Sequence, residues 1–198
     1  MYLFGLLNIR DLKLCEEAAL QMQIRKRTKF FDSMFFRTLI GKGKGRDETL
    51  SADNYNFDKT KKWARDDLFE HERLLIPAND PEKKHWCLSE VDFQNLEITY
   101  YDGCTPNGRQ EMFSNSLLRY LKDMWALLKS TPFPTGWRVR RGPILSLQTD
   151  GTSCGLFTFA FAELRSRGAS VSGSTLDQGK INRMRLALVL EIMGDYGP

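Results

Sequence analysis

Two strand-like runs separated by three residues constrain this chain more than anything else in it: HWCLSEVD (His85 to Asp92), then FQN, then LEITYYD (Leu96 to Asp102). β-branched and aromatic residues on either side of a short polar break read as an antiparallel hairpin. With a four-residue turn over Asp92 to Asn95, Val91 pairs with Leu96 and the numbers of all paired residues share one sum. That register sets His85 directly opposite Asp102, on one face with Val91, Leu96, Ile98 and Tyr100. Opposed residues have Cβ atoms roughly 4.5–5.5 Å apart. A carboxylate held there fixes the tautomer of an imidazole and stabilises its protonated form. The bland alternative is a surface His–Asp contact. A register slip of one residue would send the two side chains to opposite faces.

The scarcity of histidine gives the pair weight. The 198 residues hold two histidines, His71 and His85, and four cysteines, Cys15, Cys87, Cys104 and Cys154. His71 lies among Glu70, Glu72 and Arg73 and is expected in solvent, which leaves His85 as the base for any histidine-dependent chemistry. The cysteines form no CxxC pair and no zinc-ligand spacing with the histidines, so no metal or other cofactor is expected. Without a secretory signal, four thiols in a chain of this length are expected reduced, in the nucleus or the cytoplasm. A 41% apolar, 27% charged composition is ordinary globular usage and sets aside disorder, collagen and coiled coil. No apolar run approaches the ~20 residues of a membrane helix.

A nucleophile to match His85 is sought among the thiols. Cys154 follows a polar, Gly-containing turn (Gln148 to Ser153) and opens GLFTFAFAELRSRG. Phe157, Phe159 and Phe161 alternate like a strand, yet the length and the terminal Gly168 suit a helix. On the helical reading Cys154 sits at an N-terminus, where unpaired N–H groups and the dipole lower a thiol pKa and can stabilise an oxyanion. Gly155 leaves room for a substrate carbonyl, and the Gln148 side chain could aim an N–H at the same oxygen. Cys15 falls on an amphipathic helix over Asp11 to Arg25 and is expected in the core. Cys87 and Cys104 have no comparable cradle.

The remaining elements are coarser. Phe30 to Ile40 is dense in aromatics and expected buried. Residues 41–62 read as a long exposed basic loop, and Leu74 to Pro77 as a short strand. Ser114 to Ser130 has helical spacing. Trp137 to Leu147 reads as extended and basic, ending in an apolar strand. Ser174 to Met193 forms a final amphipathic helix with Ile181, Met184, Leu188 and Ile192 on one face and Gly194 as its stop. Helices flanking a mixed set of strands make the class α+β, in a single domain over 1–198. The net charge of +4 is modest. Its basic clusters at Arg25–Lys29, Gly41–Arg46, Lys59–Lys62 and Arg138–Arg141 read first as solvated surface. A nucleic-acid role ranks last.

His-Trp opening one strand, Tyr-Tyr-Asp closing the next, then Gln148 and Cys154-Gly155, together resemble the ubiquitin-like-protein-specific cysteine proteases, the Ulp and sentrin/SUMO-specific protease family. FFDSMFFRTL (Phe30 to Leu39), KKWARDDLFEHERLLIP (Lys61 to Pro77) and TGW (Thr135 to Trp137) are similar to further segments of that family. The resemblance implies a papain-like α+β fold, with a central mixed sheet flanked by helices and the nucleophile at the N-terminus of a buried helix. Carried over, it implies Cys154 as nucleophile, His85 as base and later general acid, and Asp102 as the group orienting His85. Gln148 and the Cys154 N–H would form the oxyanion hole. Trp86 would wall, beside Gly155, a passage admitting only a Gly-Gly tail. The implied reaction is hydrolysis after the Gly-Gly of a ubiquitin-like modifier, SUMO foremost, through a thioester. The implied partner is that modifier and its conjugates, with the chain a monomer and no membrane or specific nucleic acid involved.

The chain departs from the family at Ser153, where Asp is usual, and over residues 1–29, which lack the family's Trp-containing motif and read as diverged or truncated. These departures motivate a rival reading, a ubiquitin-like-protein-binding module of weak or absent activity. A second rival is an acyltransferase of related Cys-His-acid architecture.

Overall fold

The structure, a computed structural model, describes residues 28–43, 47–64, 67–104, 109–143 and 148–195. The Asp11–Arg25 helix with Cys15, and the apolar strand end at 144–147, lie outside the described residues. In chain order the elements are β1 (Thr28–Phe30), α1 (Phe35–Ile40), β2 (Gly41–Lys42), β3 (Thr49–Leu50), α2 (Phe57–Thr60), β4 (Arg73–Asp80) and β5 (His85–Asp92). β6 (Glu97–Tyr101), α3 (Gln110–Leu128), β7 (Arg138–Arg141), α4 (Cys154–Ser166) and α5 (Gln178–Asp195) follow. Among the described residues no helix is long and apolar enough to cross a membrane.

β4 is buried along nearly its whole length. That is the signature of a strand covered on both faces. It lies inside a five-stranded mixed sheet of order β1-β4-β5-β6-β7. β1 runs parallel to β4 and β7 parallel to β6, and the central strands are antiparallel. Alternation along the strands splits the core in two. Leu74, Ile76, Ala78, Val91, Ile98 and Tyr100 meet α1 and α3 through Phe35, Phe36, Phe113, Leu117 and Tyr120. Edge-on ring contacts, Phe35–Tyr120 at 4.9 Å and Phe36–Phe113 at 4.8 Å, lock that layer. On the other face Leu75, Leu88 and Tyr101 meet Phe157, Phe161 and Ile181 of α4 and α5. Each such Phe contributes about 1.5–3 kcal/mol by leaving water. The α+β class with helices on both faces is therefore as expected.

The aromatic and aliphatic residues before Gly41 are buried, while Met34 is exposed and Asp32, Ser33, Arg37 and Thr38 are half-buried. Residues 41–62 differ from the expected loop. They hold the β2–β3 pair, a 3₁₀ turn at Ala52–Asn54 and α2, and Glu48, Leu50 and Thr60 are buried. Two local devices order them: Asn56 Oδ1 caps α2 at the Lys59 N–H (3.1 Å), and Arg37 pairs with Glu48. α3 starts at Gln110, ahead of the expected Ser114. α5 begins later than expected, at Gln178, and runs past Gly194 to Asp195.

The ambiguous apolar segment is the helix α4. A helix hydrophobic on nearly all sides is stable only when buried, and both faces of α4 are enclosed, with Phe157 and Phe161 one turn apart. Gly168 ends it with φ +73°, and the Ala169 N–H returns to the Leu164 carbonyl at 2.9 Å. The same end is pinned to the sheet. Arg165 donates to both carboxylate oxygens of buried Glu90 (2.7 and 3.1 Å), which also accepts from Tyr101 Oη at 2.9 Å. α4 is thus fixed in position along its length, and so is the residue that opens it.

Candidate active site

The hairpin forms, with a different register from the expected one. Val91 pairs with Ile98 and Asp92 with Glu97, so the turn is Phe93 to Leu96. The Asp92 carboxylate sets it by accepting from the Gln94 and Asn95 N–H groups (3.0 and 2.9 Å), and Leu96 takes φ +49° to close it. Every partner therefore moves by two residues. A shift of two preserves the face of each side chain, where a shift of one would invert it. Extending the ladder puts Asp102 diagonal to His85 instead of opposite. A diagonal pair lies ~7–8 Å apart, within reach of long side chains, and His85 Nε2 meets Asp102 Oδ1 at 2.7 Å.

The ladder between β5 and β6 ends at Leu88–Tyr101, and His85 to Cys87 pair only with β4. The N-terminus of α4 comes in beside this open end. Gly103 permits the approach, because a Cβ there would sit 3.0 Å from Phe157 Cγ. Cys154, buried at the first position of α4, lies beside His85. With Nε2 taken by Asp102, Nδ1 is the ring nitrogen left for sulfur. The Asp102 hydrogen bond, and then that to Cys154, push the His85 pKa up to about 9 against the opposing effect of burial. The hydrogen bond from His85 pulls the Cys154 thiol below its ordinary value, again against burial, and the Trp86 and Gly155 N–H groups add to it. These opposite shifts favour transfer of the thiol proton to the imidazole, which would make a nucleophile beside a proton donor.

The other sequence-derived candidates are placed as follows. Trp86 faces Gly155, and a Cβ on Gly155 would lie 3.9 Å from Trp86 Cδ1. Gln148 is tethered within its own turn: Nε2 donates to the Asp150 carbonyl at 2.6 Å, and its N–H reaches the Gly103 carbonyl at 3.0 Å. An oxyanion contact from Gln148 would have to use the second N–H of that amide. Cys87 is wholly buried, and burial raises its thiol well above the usual range. His71 is a correction. It is buried rather than solvated, with Nδ1 2.9 Å from the Asp67 carbonyl. A 3₁₀ turn at Leu68–Glu70 folds the charged stretch around it.

The sequence reading missed the group that holds the nucleophile turn. Asp150 Oδ1 accepts from the Thr152 and Ser153 N–H groups (3.1 and 2.8 Å), and Oδ2 from Ser153 Oγ at 2.6 Å. The Ser153 hydroxyl, then those N–H groups, hold the Asp150 carboxyl below the usual range. From α5, Arg185 donates to Ser153 Oγ at 2.6 Å and stands 3.8 Å from Asp150, and Gln178 donates to both residues (3.1 and 3.2 Å). The Asp150-Gly151 dipeptide two residues before Ser153 is an Asx-turn signal that could have found it.

Comparison with known proteins bears on the family and the fold. The sequence profile of a family described as the Ulp1 protease family, C-terminal catalytic domain, matches residues 10–194. The chain is 24% identical over 139 residues to a sentrin-specific protease of Caenorhabditis elegans, covering 69% of this chain and 18% of that protein. It is 28% identical over 142 residues to sentrin-specific protease 2 of Mus musculus (69% and 23%) and 23% identical over 168 residues to ubiquitin-like-specific protease 1A of Arabidopsis thaliana (82% and 31%). The chain thus spans less than a third of the length of these relatives. Its fold is similar to the C-terminal Ulp1 protease domain solved in complex with Smt3, the yeast ortholog of SUMO (TM-score 0.57, 20% identity, 80% of this chain and 64% of that one). It is also similar to the SUMO protease Ulp1 with its catalytic cysteine oxidised to a sulfenic acid (TM-score 0.64, 18% identity, 86% and 70%).

Proposed function

This chain belongs to the Ulp1 protease family of cysteine peptidases, and from that premise we propose that it hydrolyses the bond after the C-terminal Gly-Gly of a ubiquitin-like modifier, SUMO foremost. The observation that carries the reading is the placing of Cys154, at the N-terminus of α4, beside a His85 that is hydrogen-bonded to Asp102. In the proposed reaction the Cys154 thiolate attacks the carbonyl carbon of the terminal glycine. The oxyanion develops beside the first N–H groups of α4, which lack intrahelical partners. His85 gives its proton to the leaving amine and a thioester remains. His85 then takes a proton from water, whose oxygen attacks the thioester and releases the modifier and the free thiol. Asp102 keeps the ring oriented throughout.

The preference for SUMO is supported by the names of the relatives, three of which are sentrin- or ubiquitin-like-specific proteases, and by the Ulp1–Smt3 complex on the same fold. A panel of ubiquitin-like proteins bearing a C-terminal vinyl sulfone or fluorogenic amide tests it. The expected result is a covalent adduct on Cys154 with SUMO, lost in Cys154→Ala. A folded chain that forms no adduct with any modifier would sink the proposal.

Trp86 and Gly155 supply the selectivity. A flat indole opposite a residue without a side chain leaves a slot that fits glycine and excludes larger residues. Trp86→Ala is expected to lower kcat/KM on Gly-Gly-tailed substrates by about tenfold or more while leaving the unfolding midpoint in place. Unchanged kinetics would refute the slot.

A further inference from the structure

Beyond the residues given roles above, the site holds a second thiol. Cys104 follows Asp102 in the bend after β6, and its N–H donates to Asp102 Oδ1 at 2.9 Å. That turn aims Sγ back toward the site, where it donates to Gln148 Oε1 at 3.2 Å. One ring nitrogen of His85, a carboxylate oxygen of Asp102 and Cys104 Sγ lie within 4.8 Å of one another. Asp102 is also incompletely satisfied. Its side chain is 4% exposed, and Oδ2 is buried with no hydrogen-bond partner among the described residues. A buried carboxylate oxygen without a partner is costly, and a cation is one of the few groups that relieves it.

We propose that Cys104, His85 and Asp102 form an inhibitory site for a thiophilic divalent cation of the zinc class. The donor set is one sulfur, one imidazole nitrogen and one carboxylate oxygen. Such a mixed soft and borderline set favours zinc over magnesium or calcium, which take oxygen ligands. Donors around a tetrahedral zinc ion are about 3.5 Å apart, given bond lengths of about 2.0–2.3 Å. Closing from the present spacing takes roughly an ångström of side-chain movement at Cys104, which is partly exposed and so offers a path of entry. Three protein ligands leave a fourth position for water. On binding, the Cys104 thiol and the imidazolium each release one proton to solvent and donate the freed electron pair to the metal. A ring whose Nε2 is bound to the metal loses its pairing with Asp102 and cannot carry the second proton of an imidazolium, so turnover stops. The inhibition rests on the role proposed for His85, whereas binding itself does not.

The test uses Co²⁺ and Zn²⁺ alone, with the chain reduced and oxygen excluded so that disulfide formation plays no part. Cys154→Ala, which removes the nucleophile but none of the three ligands, is expected to bind Co²⁺ with a thiolate-to-cobalt charge-transfer absorption that Zn²⁺ abolishes. The absorption is expected to vanish in Cys154→Ala/Cys104→Ser and in Cys154→Ala/His85→Ala. In the otherwise native chain, Cys104→Ser, or Cys104→Ala if serine disturbs the bend, is expected to raise the inhibitory Zn²⁺ concentration at least about tenfold. No absorption in Cys154→Ala, an absorption untouched by Cys104→Ser, or equal zinc sensitivity with and without Cys104 would each overturn the proposal. A chain without peptidase activity that still shows the Cys104-dependent absorption would overturn the function and leave the metal site standing.

Discussion

Replacing His85 by alanine is expected to lower kcat by about 10⁴-fold or more, while His71→Ala stays within about threefold of the native rate. The imidazole serves twice in the proposed reaction, holding Cys154 as a thiolate and then protonating the leaving amine. Without it the thiol loses the largest influence lowering its pKa, and burial, which raises it, is opposed only by the Trp86 and Gly155 N–H groups. His71 is the natural control. It precedes β4 at the end away from the site, whereas His85 pairs with Asp80 at the other end. The two are separated by the length of the strand, roughly 25 Å at ~3.3 Å per residue. Losing the His71 contact with the Asp67 carbonyl costs stability of about 1 kcal/mol, read as a lower denaturation midpoint with kcat little changed. Equal losses of kcat in the two variants would undo the assignment of the base.

Asp102→Asn is expected to lower kcat/KM by about 10³- to 10⁴-fold and to narrow the range of pH over which the enzyme works. The native profile of kcat/KM is bounded on the acid side by the lowered Cys154 pKa and on the alkaline side by His85 near 9. The Asp102 hydrogen bond is the largest cause of the raised His85 value, so its loss moves the alkaline limb downward. The acid limb moves upward, because a less firmly protonated His85 stabilises the Cys154 thiolate less. The rate of Cys154 alkylation by iodoacetamide against pH reads the thiolate directly, and a profile identical to the native one would refute the relay. Stability follows the same sign. A histidine raised from its ordinary 6.5 to about 9 on folding stabilises the fold fully below its unfolded pKa, and that contribution is lost as pH rises through the folded value. Denaturant midpoints at about pH 6 and about pH 10 should therefore differ more in the native chain than in Asp102→Asn.

Much of the site is legible in the sequence. His85 and Asp102 were placed on one face because side-chain alternation is a local property of the backbone, and parity survived an error of two in the register. The error itself came from the turn: nothing in FQN announces that Asp92 will cap the loop or that Leu96 will take a positive φ. Cys154 was legible as the first residue after a polar turn, once the segment behind it was read as a helix. Periodicity could not make that choice, since GLFTFAFA is apolar at both spacings. His71 was misread because its sequence neighbours are charged, while burial is decided by elements distant in the chain.

What the sequence determined by itself is therefore local: which segments alternate, where a thiol precedes a helix, which histidine shares a face with an acid. What only the tertiary structure decided are the meetings between distant elements. They include the splayed end of the hairpin receiving α4, Cys104 turning toward Gln148 across 44 residues, and Arg185 reaching Ser153 across 32. The physical reason is one of range. Backbone preference and side-chain parity are set by neighbours a few residues away, so they are written in short words of sequence. Register, burial and the charge around a thiol follow from how whole elements pack, where each contact is selected by the sum of all the others.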